Sequence, residues 1–296
     1  MGALLITADD FGLTKGVTDS ILEAVDNGVL NNVSILANGH AFDYAIGEYK
    51  KRSAKLRISL HLNLTEGPSV TPRGEVLLLV DKNGLLKHSF VSLWFFYLLS
   101  FPNKRQRIQA QIKAELSAQI RKTQNALDNG QEIRVDGHQH IHMIPFVFNE
   151  LLDIAKKENI TSARTASEPF FLSWPTNFSC MIGMIKNLLL YCLDRYNRPK
   201  ARALNIATND YLLGIVHTGQ TTEEVIKNSL TKIIKKVSSK KTIEIISHPG
   251  SATNTDVAVF DEFSRSKNWS FSPWRKSERQ TLQSPSLKEF IHRHFN

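Results

Sequence analysis

The chain reads as an α/β protein whose parallel strands, about seven of them, close into a barrel. Short apolar runs alternate with helical stretches along most of its 296 residues. About seven such units favour a closed barrel over an open, doubly wound sheet, and a chain of this length accommodates one. The third observation is chemical. Asp, His and Arg side chains collect just past the apolar runs, where β/α barrels bring their loops together.

The first strand, Leu4–Thr7, runs into Asp9 and Asp10. A helix over Val17–Asn27 follows and stops at Gly28, which fits a left-handed C-cap. Val33–Ala37 and Arg57–Leu64 are the next strands, with a helix over Phe42–Lys51 between them. An insert, about 65–102, interrupts the alternation before a long helix, Lys104–Asn129, that ends at Gly130. Strand Ile133–Val135, helix Phe146–Lys157 and strand Thr161–Arg164 resume the pattern. A second insert, about 167–208, precedes strand Leu212–Val216. The helix over Thr222–Val237 begins "TTEEV": Thr221 or Thr222 caps its first turn, and the glutamates suit the positive end of its dipole. Strand Thr242–Ser247 completes the set. Beyond Asn254 the chain is polar until "SPSLKEFIHRHF", a terminal helix packing back. With no internal repeat and no low-complexity segment, residues 1–296 are read as one domain with two inserts.

A hydrophobic share of 42% supplies a core, and 22% charged residues argue against long disordered segments. The balance of 37 Lys+Arg against 28 Asp+Glu, a net charge of +9, favours anionic partners: nucleic acid, phosphate-bearing substrates or an anionic membrane surface. No RNA- or DNA-binding signature appears, so nucleic acid is not expected. Cys180 and Cys192 form neither a CxxC pair nor a metal cluster, which suits a reducing compartment. The N-terminus lacks the pattern of a secretory leader, and the expected location is the cytoplasm. Two apolar stretches, "SFVSLWFFYLLSF" (Ser89–Phe101) and "CMIGMIKNLLLYCL" (Cys180–Leu193), are shorter than the roughly 20 residues of a spanning helix. They are either buried helices or surface helices dipping into a lipid interface beside Lys104, Arg105 and Arg107.

The polar groups follow strand by strand. Asp9 and Asp10 come after the first, His61 sits in "SLHLNLTEG", and Asp136, His138, His140 and His142 fall in "VDGHQHIHMIP". Arg164 ends the fifth with Glu168 beyond it, and His248 leaves the last in "IISHPG". Taken singly, His61 reads as readily as a hydrogen-bonded core residue, and Asp9–Asp10 as a helix cap. His138, His140 and His142, spaced by two, would face one way on an extended backbone, and three imidazoles on one face are poor core filler. Together these groups favour a divalent metal, since one carboxylate and two imidazoles with open positions form a hydrolytic ligand set. Adjacent Asp side chains point apart, so one can ligate while the other faces the attacking water.

The ordered motifs "TADDFGLTKGV", "SLHLNLTEG", "VDGHQHIHMIP", "ARTASEPF" and "SHPG", with "SERQTLQSPSLKEF" near the end, resemble the YdjC-like (ChbG/HpnK) carbohydrate deacetylases over nearly the whole chain. The resemblance implies a distorted TIM-like barrel and metal-dependent removal of an acetyl group from an N-acetylated sugar. It implies Asp10, His61 and His138 as ligands of one divalent ion, Mg2+ or Zn2+, with Asp9 as general base and His248 as acid toward the leaving amine. Arg164 would orient Asp9 or bind substrate, with Glu168, His140 and His142 as further substrate contacts. The segments "WFFYLL" and "ATNDYLLGIVHTGQTTEEV" look closer to branches acting near lipids, so a polyprenyl-phosphate- or hopanoid-linked hexosamine competes with a soluble chitooligosaccharide as substrate. The expected partners are that sugar, peripheral contact with an anionic inner-membrane face, and a second copy if the protein is a homodimer. Two other readings stay open. A different metal hydrolase, an amidohydrolase or phosphoesterase, would carry His-x-His rather than Asp-Asp after the first strand. A non-enzymatic basic protein of the membrane surface would leave the polar strand ends idle.

Overall fold

The structure is a computed structural model that describes residues 3–127, 132–166, 168–170, 178–236 and 241–295. Its strands are β1 Leu4–Phe11, β2 Asn32–Ile35, β3 Arg57–Leu62, β4 Ile133–Gly137, β5 Ile160–Ala163, β6 Ala207–Thr208, β7 Tyr211–Leu213 and β8 Ile243–Ser247. The helices between and after them are α1 Lys15–Asn27, α2 Phe42–Lys50, α3 Phe90–Leu98, α4 Pro102–Ala126, α5 Pro145–Ala155 and α6 Phe178–Ala203. They continue as α7 Glu223–Lys236, α8 Lys267–Ser270, α9 Pro273–Leu282 and α10 Pro285–Phe295. Thr222 caps the helix start at α7, its hydroxyl oxygen accepting from Val225 N at 3.3 Å, and α10 is the terminal helix expected. The Gly130 stop and the Val237 helix end lie outside the described residues.

These strands pair in parallel throughout the described sheet, in the order β6-β5-β4-β3-β2-β1-β8-β7. The two edge strands are consecutive in the chain, separated only by Asn209 and Asp210. One stretch thus leaves β5 and joins β8, and the sheet curls into a TIM-like barrel with a seam. Side chains span that seam: the Asn209 amide trades hydrogen bonds with Thr165 N and O at 2.8 and 3.0 Å, and the Asp210 carboxylate accepts from Thr242 N at 2.9 Å. The expected strand Leu212–Val216 is present as β7, and the short β6, which fell within the expected insert, pairs with β5 on the other side of the seam.

Alternation along the strands sorts residues between the two faces of the sheet. One set, including Ile6, Ala8, Val33, Ile35, Ile58, Leu60, Ile133 and Val135, packs with the helices in the main apolar core. The other set is polar and hydrogen-bonds across the barrel interior. Thr7 donates to Glu244 at 3.0 Å, Asn32 to Thr7 and Ser59 at 3.0 and 2.9 Å, and Ser34 to Asp136 at 2.6 Å. Where many β/α barrels fill the interior with branched apolar layers, this one builds a hydrogen-bonded floor beneath the site.

Three sequence expectations need correction. Gly28 has φ −121°, not a left-handed value. A Cβ there would sit 2.5 Å from both the Ala24 and Leu282 carbonyl oxygens, so glycine is required for the close approach of the end of α9. The backbone over 138–143 is a tight helical turn with Gln139 and His140 at φ +51° and +58°, so the three histidines do not share a face. The polar stretch after Asn254 is not featureless: it contains α8 and α9, and α9 reaches the site.

Candidate active site

At the end of β1 the pairing register with β2 shifts between Ala8 and Phe11, and Asp10 takes φ +66°. This local break turns two adjacent carboxylates in different directions. Asp9 is gripped by Arg164, whose two terminal nitrogens donate to its two oxygens at 2.8 and 2.9 Å. The same guanidinium reaches Glu244 from Nε at 3.0 Å and Asp136 from Nη2 at 3.0 Å. Burial would discharge this arginine, but Asp136, Asp9 and Glu244 hold it firmly protonated. Arg134 adds a second cation against Glu244. Burial alone would raise the Asp136 and Glu244 carboxyls. The nearby cations reverse it and keep both below their usual range.

Asp10 points the other way. Its Oδ2 accepts from the fully buried Arg275 on α9, which also donates to the Gly250 carbonyl at 2.6 Å. Burial would raise this carboxyl, but Arg275 and then His138 hold it well below the ordinary carboxylate value. Its Oδ1 is buried and has no hydrogen bond among the described residues. That oxygen lies 3.1 Å from His138 Nδ1 and 3.8 Å from His61 Nε2.

The far nitrogen of each imidazole is engaged by a carboxylate. His61 Nδ1 is 2.5 Å from Asp136 Oδ1, and His138 Nε2 is 2.9 Å from Glu66 Oε1. Glu66 is itself fixed by the backbone N–H groups of Arg265 and Ser266 at 2.9 and 3.0 Å. Burial pulls His138 down, yet Asp10 and Glu66 lift it to about 10. An orphaned carboxylate oxygen facing two imidazole nitrogens, each backed by an acid, is the donor arrangement of a divalent-metal site. Asp9, His61 and Asp136 form a second cluster of suitable spacing. Its carboxylates are already committed to Arg164, Ser34 and the rear of His61, so the cluster around Asp10 fits a metal better.

Asp9, Asp10, His61 and His138 line a pocket of about 240 Å³. His248, just past β8, stands in its wall with its ring edge-on to Trp269 at 5.6 Å. Its backbone N–H donates to Glu278 at 2.6 Å. Burial pushes the imidazole down to about 4, against the pull of Asp10 and Asp9. His140 also lines the pocket, buried and without a hydrogen bond to Nδ1 among the described residues, and burial holds it well below 6.5.

The remaining expected contacts sit elsewhere. Arg164 lies beneath the pocket and touches Asp9. His142 is fully buried outside the pocket lining and donates Nε2–H to the Arg164 carbonyl at 2.9 Å. Its ring lies against Gly137, where a Cβ would come within 2.4 Å of Nδ1. Glu168 accepts from the backbone N–H groups of Gly214, Ile215 and Val216 at 3.2, 2.9 and 3.1 Å, tying down the loop after β7. Sequence reasoning assigned no role to Glu66, Lys186, Glu244, Trp269 or Arg275. Glu244 left a trace as an acid inside the apolar run "IEIIS", Lys186 as the one charge in "CMIGMIKNLLLYCL", and Glu66 as part of "SLHLNLTEG".

A carbohydrate deacetylase from Oceanobacillus iheyensis is 28% identical over 232 residues, covering 76% of this chain and 88% of the relative. A carbohydrate deacetylase from Brevibacillus brevis is 24% identical over 290 residues, covering 98% and 94%. A chitooligosaccharide deacetylase from Escherichia fergusonii is 28% identical over 157 residues, covering 53% and 57%. Among solved structures, a candidate cellobiose-phosphate cleavage protein from Enterococcus faecalis shares the fold with a TM-score of 0.69 at 22% identity, covering 99% of this chain and 94% of that one. The model of one family, described as YdjC-like protein, matches residues 3–293, and the chain belongs to that family.

Proposed function

We propose that the protein is a metal-dependent hydrolase that removes the acetyl group from an N-acetylated amino sugar. The observation that carries this reading is the orphaned Asp10 Oδ1 facing His61 Nε2 and His138 Nδ1, with the separately held Asp9 in the same pocket. Asp10, His61 and His138 would hold one divalent ion, and two imidazoles among three donors suit zinc better than magnesium. Such an ion polarises an amide carbonyl and acidifies water.

The chain's own residues divide the proton work. Asp9, oriented by the two-point grip of Arg164, accepts the proton of the attacking water. His248 faces the leaving nitrogen, and its depressed basicity makes its protonated form a strong donor to an amine. Glu66 and Asp136 hold the ligand imidazoles in one tautomer and orientation. Trp269 offers an apolar wall for the sugar ring. The relatives named for carbohydrate and chitooligosaccharide deacetylation support the sugar and the reaction together. A cytoplasmic setting belongs to the same reading, and the acceptor is either a soluble chitooligosaccharide or a lipid-linked hexosamine.

The test is acetate release from a chitooligosaccharide and from a polyprenyl-phosphate-linked N-acetylhexosamine, each with zinc or magnesium and after chelation. Release from either substrate that disappears with chelator and returns with metal is expected. Absence of acetate from both, with metal bound, would sink the reading.

A further inference from the structure

The apolar helices of the two inserts are buried on one side only. Only Leu93 of α3 is fully buried, while Val91, Phe95 and Leu98 form an outward stripe at helical spacing. The corner between α3 and α4 carries the two most exposed large hydrophobic side chains described, Leu99 at 82% and Phe101 at 83%. Helix α6 repeats the pattern. Leu190 and Leu193 pack inward, whereas Met181, Ile182, Ile185, Leu188 and Leu189 face out. A helix apolar on both sides has an outer face that calls for a partner.

The two elements meet. Phe90 and Trp94 of α3 pack on the small apolar cluster that holds Leu190 and Leu193 of α6. Helix α6 also lines the active-site pocket through Lys186, and the exposed Ile182 and Leu189 are its neighbours one turn to either side. The apolar face is thus continuous with the pocket wall.

Charge identifies the occupant. From residue 82 to 114 there is no Asp or Glu, but there are Lys82, Lys87, Lys104, Arg105 and Arg107, besides Lys113, which pairs with Asp153 and Glu150. From 169 to 193 there is again no acid, and Lys186 is the sole charge. A second copy would bring the same basic surface against itself, whereas an anionic lipid surface complements both the apolar tips and the cations. No described helix is long and apolar enough to cross a membrane, so the contact is interfacial.

We propose that the α3–α4 corner and the outer face of α6 form a docking surface for an anionic lipid bilayer. The face brings the pocket to the headgroup layer. Resting on the deacetylase reading, this makes the substrate an amino sugar borne on a lipid.

The experiment is co-sedimentation of the full-length protein with vesicles of phosphatidylcholine alone or mixed with phosphatidylglycerol, alongside gel filtration. Wild type should pellet with the anionic vesicles and be released by salt. Leu99→Glu with Phe101→Glu should lower partitioning by about tenfold or more, as should Ile185→Glu. Lys104→Ala and Arg107→Ala should each lower it about fivefold on anionic vesicles only. All these positions are on the surface, and a melting curve matching wild type checks their fold. Failure of wild type to pellet, or pelleting indifferent to the apolar substitutions, overturns the proposal. So does a wild-type dimer that these substitutions split, because the face then belongs to a second copy. Pelleting needs no turnover, and acetate release from a soluble substrate reports on the deacetylase reading separately.

Discussion

Asp9 and Asp10 are adjacent in sequence and opposite in environment: one is locked in a two-point ion pair with Arg164, the other leaves an oxygen bare beside two imidazoles. Their loss should therefore have different signatures. Asp10→Ala should strip the protein of bound metal, read by elemental analysis after dialysis. Asp9→Asn should keep its metal and lose about 10²–10⁴-fold in turnover, the usual worth of a positioned base. Equal metal loss in both variants would refute the division. Both residues were legible in the sequence, with His61, His138 and His248, because each lies at a strand end where barrel chemistry collects. The partners that make them work were not. Arg275 is 265 residues from Asp10 and follows no motif, and Glu66 and Asp136 gain their meaning only when the fold puts them behind an imidazole.

Elements were legible where periodicity decides and illegible where backbone conformation does. Every expected strand is present, and the helices match within a few residues, since apolar spacing is a property of the sequence. The shared face of His138, His140 and His142 failed because a period of two holds only on extended backbone, and Gln139 and His140 are left-handed. Gly28 was read for its φ and matters for its missing Cβ. There α1 ends against the last carbonyl of α9, the helix that carries Arg275. Gly28→Ala should lower stability by about 1–3 kcal/mol as the two chain segments are forced apart. A urea midpoint equal to wild type would show that the contact has slack.

At the scale of the whole molecule, the buried titratable groups set a pH window for the metal-free protein. His142 is fully buried, and burial holds it near 4 against 6.5 for a free imidazole. As pH falls below the unfolded value, the unfolded chain takes up a proton that the folded one refuses, so stability drops. One such histidine removes about 2 kcal/mol by about pH 5. His138 has the opposite sign. Lifted to about 10, it lends stability that is full below 6.5 and is lost as pH climbs toward 10. Urea midpoints measured with chelator at acid, neutral and alkaline pH should peak between these limits. His142→Gln, which can still donate to the Arg164 carbonyl, should flatten the acid limb, and a limb unchanged by it would reject the assignment.

The barrel was legible as a whole and its seam was not, because Ala207–Thr208 is too short to stand out from the insert that precedes Leu212–Val216, and only the fold shows β6 and β7 choosing different neighbours. That seam bears on how the family can diversify. The segment carrying α6 enters between β5 and β6, beside the seam where side chains of Asn209 and Asp210 stand in for ladder bonds. The inner side of that segment is tied to the seam by Arg198 on Asn209 O and to the pocket by Lys186, whereas its outer side, among the described residues, touches no strand pairing and no part of the polar floor under Asp9. One helix thus has an outer face open to substitution and an inner face bound by the site and the seam.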